Sequence, residues 1–422
     1  MKPKENLILD EIVIQENLVK YKFSYSTGIA QYFTTNEMFV EYSQDVSDIP
    51  LSALAIPFVG SLIALTWLTD TVFWVKEVDE TFYQSLKELK LAYQELYPHF
   101  KFGGRFVSAK IERNSYENSP EKNLLLFSGG VDAMTTFLRH VDKKLFLCNV
   151  QGWYKDEKSP EPVAEKEFKI VSDFGIENKR SVLLVKSNFA TIVNEQVFHK
   201  RVGRLLGDSW WHGFSHSMSF ISISIPLALK NKCRSILIAS SFTIGDSRVC
   251  ASYATTDIEF KFCESGNTIH DGFELSRQDK VNVIVDYQKK RKHPFPLKVC
   301  SFHEENCCHC EKCFRTIAGI IAEGGNPQDF GFEIKGNIKD YFVRYFAENL
   351  QFFGIEKESL SHWPHIKKRM QENFSTMSTD KQEFVDWFMS YNFEGNRKKA
   401  LRNYYKNNFF KIIKRKIKTQ FG

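Results

Sequence analysis

The chain has 422 residues and a formal net charge of +6, with 43% hydrophobic and 26% charged residues, a balance that excludes a disordered or fibrous protein. That length suits two or three domains of about 150 residues each. Residues 397–418 hold ten Lys or Arg and no acid, so the remainder carries −4, which argues against a body-wide nucleic-acid surface and leaves a basic tail.

Four charged side chains fall within the first ten residues, so no secretory leader is expected and a cytoplasmic location is the default. Residues 1–115 read as an α+β module. Ile12-Val13-Ile14 and Phe39-Val40 are strand-like, and residues 106–111 read as another strand. Phe82, Leu86, Leu89, Tyr93 and Leu96 recur at helical spacing ahead of Pro98. Residues 51–75 are the most apolar stretch, but Pro57, Gly60 and Asp70 interrupt it. It falls short of the roughly 20 clean apolar residues of a membrane span, and a buried helix followed by a strand is expected. The polar stretch 114–122 marks a boundary.

From 116 to 333 the pattern changes. Leu124-Leu125-Leu126-Phe127, Leu145-Phe146-Leu147, Val182-Leu183-Leu184-Val185 and Ser235-Ile236-Leu237-Ile238-Ala239, the last clear run, alternate with helical segments. Strands apolar on both faces indicate an α/β domain with a parallel sheet covered by helices on both faces. Gly324-Gly325-Asn326-Pro327 then breaks the chain, and residues 334–422 read as a helical region ending in the basic tail. There Phe409, Phe410, Ile412, Ile413, Ile417 and Phe421 are interleaved with Lys and Arg. Such a helix suits an anionic membrane, RNA or a protein partner, or it packs as an ordinary terminal helix.

The sharpest motif is Ser128-Gly129-Gly130-Val131-Asp132, directly after the first apolar strand of the central region. The glycines let backbone N–H groups approach a phosphate, and the following helix start adds unpaired donors and the positive dipole end. Ser128 can donate its hydroxyl to a phosphate oxygen, and Asp132 suits Mg2+ or the network holding the loop. No Gly-Lys-Ser/Thr follows, so a Walker loop is excluded.

The second motif is Cys307-x-x-Cys310-x-x-Cys313 with Cys300 upstream, five of nine cysteines being crowded into residues 300–313. Four thiolates at these spacings can surround one tetrahedral Zn2+ and close its shell, a structural site. Cys308 is spare, and His303 and His309 are reserve ligands. An iron–sulfur cluster is the competing occupant, but Phe314 and Arg315 follow where a ferredoxin run continues differently.

Ser128-Gly129-Gly130-Val131-Asp132 resembles the PP-loop, Ser-Gly-Gly-x-Asp-Ser, of N-type ATP pyrophosphatases, with Ala133 in place of the final Ser. Together with the Cys300 to Cys313 pattern, it makes about half the chain similar to the 7-cyano-7-deazaguanine synthases. The resemblance implies an adenine nucleotide alpha hydrolase-like fold, ATP and Mg2+ as cofactors, and adenylation of a carboxylate with pyrophosphate release. Attack by ammonia or another amine would follow. The added N- and C-terminal regions resemble a larger-bodied branch found beside biosynthetic or anti-phage genes, where the acceptor is another molecule or a protein partner, so a deazaguanine carboxylate or a protein partner is expected here. Apart from the resemblance, a homodimer is one partner the chain could have.

Other candidates lie between and beyond the motifs. Trp210-Trp211-His212 and His216 open the long apolar helix, suited either to stacking on a base or to core packing. Asp246 follows the Ser235 strand, where ligands collect. His270 and Asp271 begin a polar cluster that resembles the family's substrate-side helix start. In that cluster Arg277 and Lys280 could neutralise pyrophosphate, although a solvated helix cap fits them as well. Two alternatives remain beside the synthase-like ligase: a tRNA-modifying PP-loop enzyme, and a nucleotide-binding subunit that has lost catalysis.

Overall fold

The structure is a computed structural model and describes residues 5–153, 161–203, 206, 209–246, 249–291, 293–300, 303, 305–348 and 362–421. The chain divides into two compact units, Met1–Leu275 and Ser276–Gly422.

The first unit is built on one eleven-stranded sheet. Its strands are β1 Asn6–Gln15, β2 Leu18–Tyr25, β3 Glu37–Tyr42, β4 Val72–Asp79, β5 Arg105–Glu112 and β6 Ser119–Leu126. They continue with β7 Lys144–Gln151, β8 Ser181–Ser187, β9 Cys233–Ala239, β10 Lys261–Phe262 and β11 Gly266–Asp271. The spatial order is β10-β11-β9-β6-β7-β8-β3-β2-β1-β4-β5. Five of these, β11-β9-β6-β7-β8, are mutually parallel. The chain walks outward from β6 through β7 and β8, then returns to the other side of β6 for β9 and β11. This is a doubly wound α/β order, whose crevice opens where the direction reverses, at the carboxyl ends of β6 and β9. In β7 every residue after Lys144 is buried, because both faces of a parallel sheet are covered.

The remaining strands extend the same sheet. β3 pairs antiparallel with β8 from Val40↔Ser187 to Tyr42↔Val185. The sheet therefore crosses the expected boundary at 115/116. β2 had no reading in the sequence, although its apolar residues alternate with Lys20, Lys22 and Ser24 as in a half-buried strand. β11 corrects the expectation that the Ser235 run is the last strand: Gly266, Asn267 and Asp271 are poor strand formers, yet the β9 edge fixes them in register.

Helix α1, Ile56–Thr69, is buried from Ile56 to Trp67 and leads into β4, as expected for residues 51–75. α2 spans Glu80–Leu96, with Asp79 capping its start. α3 Val131–Arg139, α4 Glu161–Glu177 and α5 His216–Lys230 follow β6, β7 and β8 in turn. α1 lies against α5, and a Cβ added at Gly60 would stand 2.4 Å from Ser222 Cβ. Gly60→Val is expected to cost about 1–3 kcal/mol through overpacking, read as a lower denaturant midpoint for the first unit.

The second unit is helical: α6 Arg277–Lys289, α7 Glu311–Ala322, α8 Ile338–Glu348, α9 Trp363–Asn373, α10 Thr379–Ser390 and α11 Phe393–Phe421. Its core is aromatic. Phe314 stacks on Tyr345 with centroids 3.6 Å apart, Phe342 meets Phe384 at 4.5 Å, and Trp363 stacks on Phe393 at 5.2 Å. Here much of the chain's phenylalanine is spent. The basic tail falls on α11, with Tyr405 and Phe409 exposed; the side chains of Phe410, Ile412, Ile413, Ile417 and Phe421 lie outside the described residues. Among the described residues no helix is long and apolar enough to cross a membrane.

Candidate functional site

The 128–132 turn joins β6 to α3. Gly129 takes φ +74, a left-handed conformation that costs a side-chain-bearing residue about 1 kcal/mol or more. Gly130 is the N-cap of α3 and has no side chain to satisfy the first-turn N–H groups, so a ligand or solvent can take them. Ser128 is exposed, and its Oγ accepts from Gly130 N at 3.4 Å.

A cavity of about 280 Å³ adjoins it, near the lower end of the small-molecule range. Leu126, Phe127 and Ser128 at the end of β6, Cys148, Asn149 and Val150 of β7, and Ile238 and Ala239 of β9 contribute to its lining. Asp132 and Ala133 line it from α3, and Trp153, Trp211, His216 and Phe220 supply rings. Trp153 and Trp211 stack at 6.3 Å with planes 7° apart. Such rings offer flat apolar surface to a planar ligand. The polar contributions include Glu167, whose Oε1 accepts from Asn149 Nδ2 at 3.2 Å, and Ser252.

The site residues read from sequence separate on this frame. Ser128 and Asp132 line the cavity. Gly129, Gly130 and Val131 form the turn and the helix start. Ala133 is 6% exposed and brings a methyl group to the cavity, at the position where the PP-loop pattern it resembles has a serine. Neither neighbouring threonine replaces it. Thr135 Oγ1 donates to Val131 O at 2.8 Å, and Thr136 Oγ1 to Asp271 Oδ2 at 2.9 Å.

The Trp210 to His216 stretch divides its labour. Trp210 packs in the core against Phe198 at 4.7 Å, whereas Trp211 and His216 reach the cavity. His212 stands behind them, stacked on His216 at 5.6 Å and edge-on to Phe242. Asp246 sits half-buried in the turn after β9, its N–H on Thr243 O. His270 is turned inward: its side chain is 1% exposed and Nδ1 lies 2.8 Å from Asp257 Oδ2, which also accepts from Ser252 Oγ at 2.7 Å. None of His212, Asp246, His270 and Asp271 belongs to the cavity lining.

Asp271, at the end of β11, instead anchors α3. It accepts from Thr136, from Arg139 Nε at 3.1 Å and from His140 Nε2 at 3.1 Å, while Arg139 also pairs with Glu274 at 2.6 Å. Burial alone would raise the Asp271 carboxyl, but the hydrogen bonds from His140 and Thr136 and the Arg139 charge outweigh it and hold it below the usual aspartate value. Its stabilisation is therefore full above the unfolded-state value of about 3.9 and is lost as pH falls through the lower folded value. Asp271→Ala is expected to cost about 3 kcal/mol at neutral pH, and the gap from the parent protein should close below about pH 4. Thermal unfolding across that range measures both.

Four residues that line the cavity, Asn149, Trp153, Glu167 and Ser252, had no site reading in the sequence. The only available signal was position: Asn149 is a polar residue inside an apolar strand, and Trp153 follows the same strand's carboxyl end.

In the second unit Cys300, Cys307, Cys310 and Cys313 converge, with all four sulfurs within 4.8 Å of one another. Cys307 and Cys313 are 3.9 Å apart, and Cys310 and Cys300 are 4.0 Å apart. Sulfurs about 2.3 Å from a tetrahedral ion lie about 3.8 Å from each other, so the group fits a metal such as zinc. Hydrogen bonds from Cys307, Cys310 and Cys313 hold the Cys300 thiol below its usual range, while bonding to the other three pushes Cys313 up. His303 and His309 share Cys307 in an alternative trio, but both are exposed.

Local chemistry holds the knuckle. Asn306 Oδ1 accepts from Val299 N at 3.0 Å and Cys300 N at 3.3 Å, and Nδ2 donates to Leu297 O at 2.8 Å. Cys308 takes φ +57 in the turn, and Tyr341 OH donates to its carbonyl. Cys310 is the N-cap of α7, which sets the thiolates against a positive dipole end. Arg277 and Lys280 both fall in the opening turns of α6, in this second unit, with Lys280 2% exposed. Burial and then the charges of Arg277 and Arg315 push Lys312 below the ordinary ammonium value.

No protein-family model, curated protein or solved structure matches this chain. The functional reading therefore rests on the two motifs and on this geometry.

Proposed function

We propose that the chain binds ATP with its phosphates on the 128–132 turn, adenylates a carboxylate, releases pyrophosphate, and passes the activated carbonyl to ammonia or another amine. The observation that carries this reading is the juxtaposition of an uncapped, glycine-built helix start with a ring-lined cavity at the reversal point of a doubly wound sheet. Backbone N–H groups there suit a phosphate, and the rings suit a planar heterocycle. Asp132 would hold Mg2+, which screens phosphate charge when bound. Cys300, Cys307, Cys310 and Cys313 would hold zinc with its shell closed by thiolates, so the ion fixes the 300–313 loop and leaves no position for a reacting group.

The test is incubation with ATP, magnesium and 7-carboxy-7-deazaguanine, with and without ammonium. AMP and pyrophosphate, with amide or nitrile appearing only when ammonium is present, are the expected products. Neither AMP nor any amide from this acid would remove the deazaguanine assignment, and no AMP with any carboxylate tried would remove the adenylation reading.

A second reading has its own observation. Ala133 carries no hydroxyl at the cavity and Thr135 and Thr136 are engaged elsewhere, which favours a nucleotide-binding subunit that does not turn over. ATP binding by calorimetry without AMP formation distinguishes it.

A further inference from the structure

We infer that Ser252 is the amine-handling contact of the cavity, backed from behind by Asp257 and His270, with Ser252 meeting the nucleophile's N–H and Asp257 taking up its proton. The inference rests on the proposed amine transfer and adds to it the group that activates the amine.

Ser252 contributes to the cavity lining and is itself 5% exposed. Its Oγ donates to Asp257 Oδ2 at 2.7 Å. With its proton committed to the carboxylate, the hydroxyl can offer a ligand only oxygen lone pairs, and lone pairs select N–H donors. Asp257 stands at the end of the short helical turn Ala254–Asp257 and is 1% exposed. His270 on β11 approaches the same Oδ2 at 2.8 Å through Nδ1, so Nδ1 carries the hydrogen. Two polar atoms of this buried trio, Asp257 Oδ1 and His270 Nε2, have no hydrogen-bond partner. A buried carboxylate left half-satisfied costs stability, and its second oxygen stays open to a proton.

The ionisable groups facing Asp257 are His270 from β11 and Tyr93 from α2. Tyr93 OH donates to Ala251 O at 2.8 Å, and burial followed by the Asp257 charge raises it well above the phenol range. It stays neutral and does not compete for the proton. Ser217 Oγ and Thr256 Oγ1 also donate to Ala251 O, at 2.8 and 3.2 Å, which fixes the backbone beside Ser252.

In the step itself, the amine nitrogen forms a bond to the activated carbonyl carbon. The carbon–oxygen bond to the adenylate phosphate breaks, and AMP leaves with the electron pair. One proton passes from nitrogen to Ser252 Oγ as the Ser252 hydroxyl proton moves to Asp257 Oδ2. Asp257 later returns that proton to solvent. Ser252 touches the nucleophile; Asp257 and His270 act through it and are positioning residues in that sense.

Two measurements on the full chain test this. In the first, ATP–pyrophosphate exchange with 7-carboxy-7-deazaguanine reads adenylation, and amide formation with ammonium chloride reads transfer. General-base catalysis contributes about 10²–10⁴-fold, so Ser252→Ala and Asp257→Asn should lower transfer by about 100-fold while exchange falls only a few-fold. Ser252→Thr should restore transfer. Equal loss of exchange and transfer, or no loss of transfer, overturns the inference. The second measurement needs no turnover. Ammonium chloride should shift the ¹⁵N signals of His270 relative to potassium chloride in the wild type and not in Ser252→Ala. If wild-type exchange is absent, the adenylation reading with this acid fails, and the ammonium shift still decides the inference: its absence overturns it.

Discussion

Cys313→Ser is expected to abolish metal binding and to melt the start of α7. The sulfur of Cys313 is one of four within 4.8 Å of one another, and the residue is fully buried in the first turn of that helix. Its neighbour Phe314 stacks on Tyr345 and packs on Phe342 at 4.0 Å, so loss of the turn propagates into the aromatic core. Structural zinc contributes about 10 kcal/mol or more of folding free energy in small sites; a unit with its own apolar core should lose only part of that. Elemental analysis should give about one zinc per parent chain and none in the variant, with near-ultraviolet ellipticity lost in parallel. Cys308→Ser is the control. Burial pushes the Cys308 thiol up to about 11, and its sulfur donates to Asn306 O at 3.3 Å, so it is a protonated packing group and metal content should hold. Equal metal loss in both variants would refute the four-sulfur assignment.

Asp132→Ala is expected to remove magnesium-dependent nucleotide binding, with affinity for ATP falling about 100-fold, on the scale of about 2.7 kcal/mol. Asp132 lines the cavity from the first turn of α3, beside the turn that Gly129 and Gly130 shape. Without magnesium the variant and the parent should bind ATP almost alike, because a metal-holding carboxylate contributes only when the ion is present. Isothermal titration with and without magnesium separates that role from a structural one, which would weaken both. The companion change is Ala133→Ser. A hydroxyl there would join the cavity lining, and it should raise AMP formation if a serine at this position is what turnover needs. An unchanged rate, with AMP formed by the parent, would show that the methyl group is no handicap.

The parts of the molecule that were legible in the sequence share a physical property: their signal is local. The strand leading into the 128–132 turn, the helix at residues 82–96 and the four-cysteine spacing are each set by neighbours within a few positions. What escaped was decided at long range. β11 is a strand because β9 offers it an edge, although its own residues disfavour one. Asp271 looks like a ligand residue in a polar cluster, yet Thr136, Arg139 and His140, more than 130 positions earlier, engage it. Glu167 and Ser252 come from a helix and a loop with no motif of their own, and only the packing of the first unit brings them to one cavity.

The splice between β3 and β8 has a practical consequence for dissecting the molecule. A fragment that starts at Ser119 would keep the five parallel strands but would uncover the outer rim of β8, whose backbone at Val185 to Ser187 is paired by β3 in the intact chain. Bare rims of that kind recruit strands from other molecules. The shortened protein should therefore self-associate into insoluble species, and supplying residues 1–118 as a separate polypeptide should rescue it by complementation.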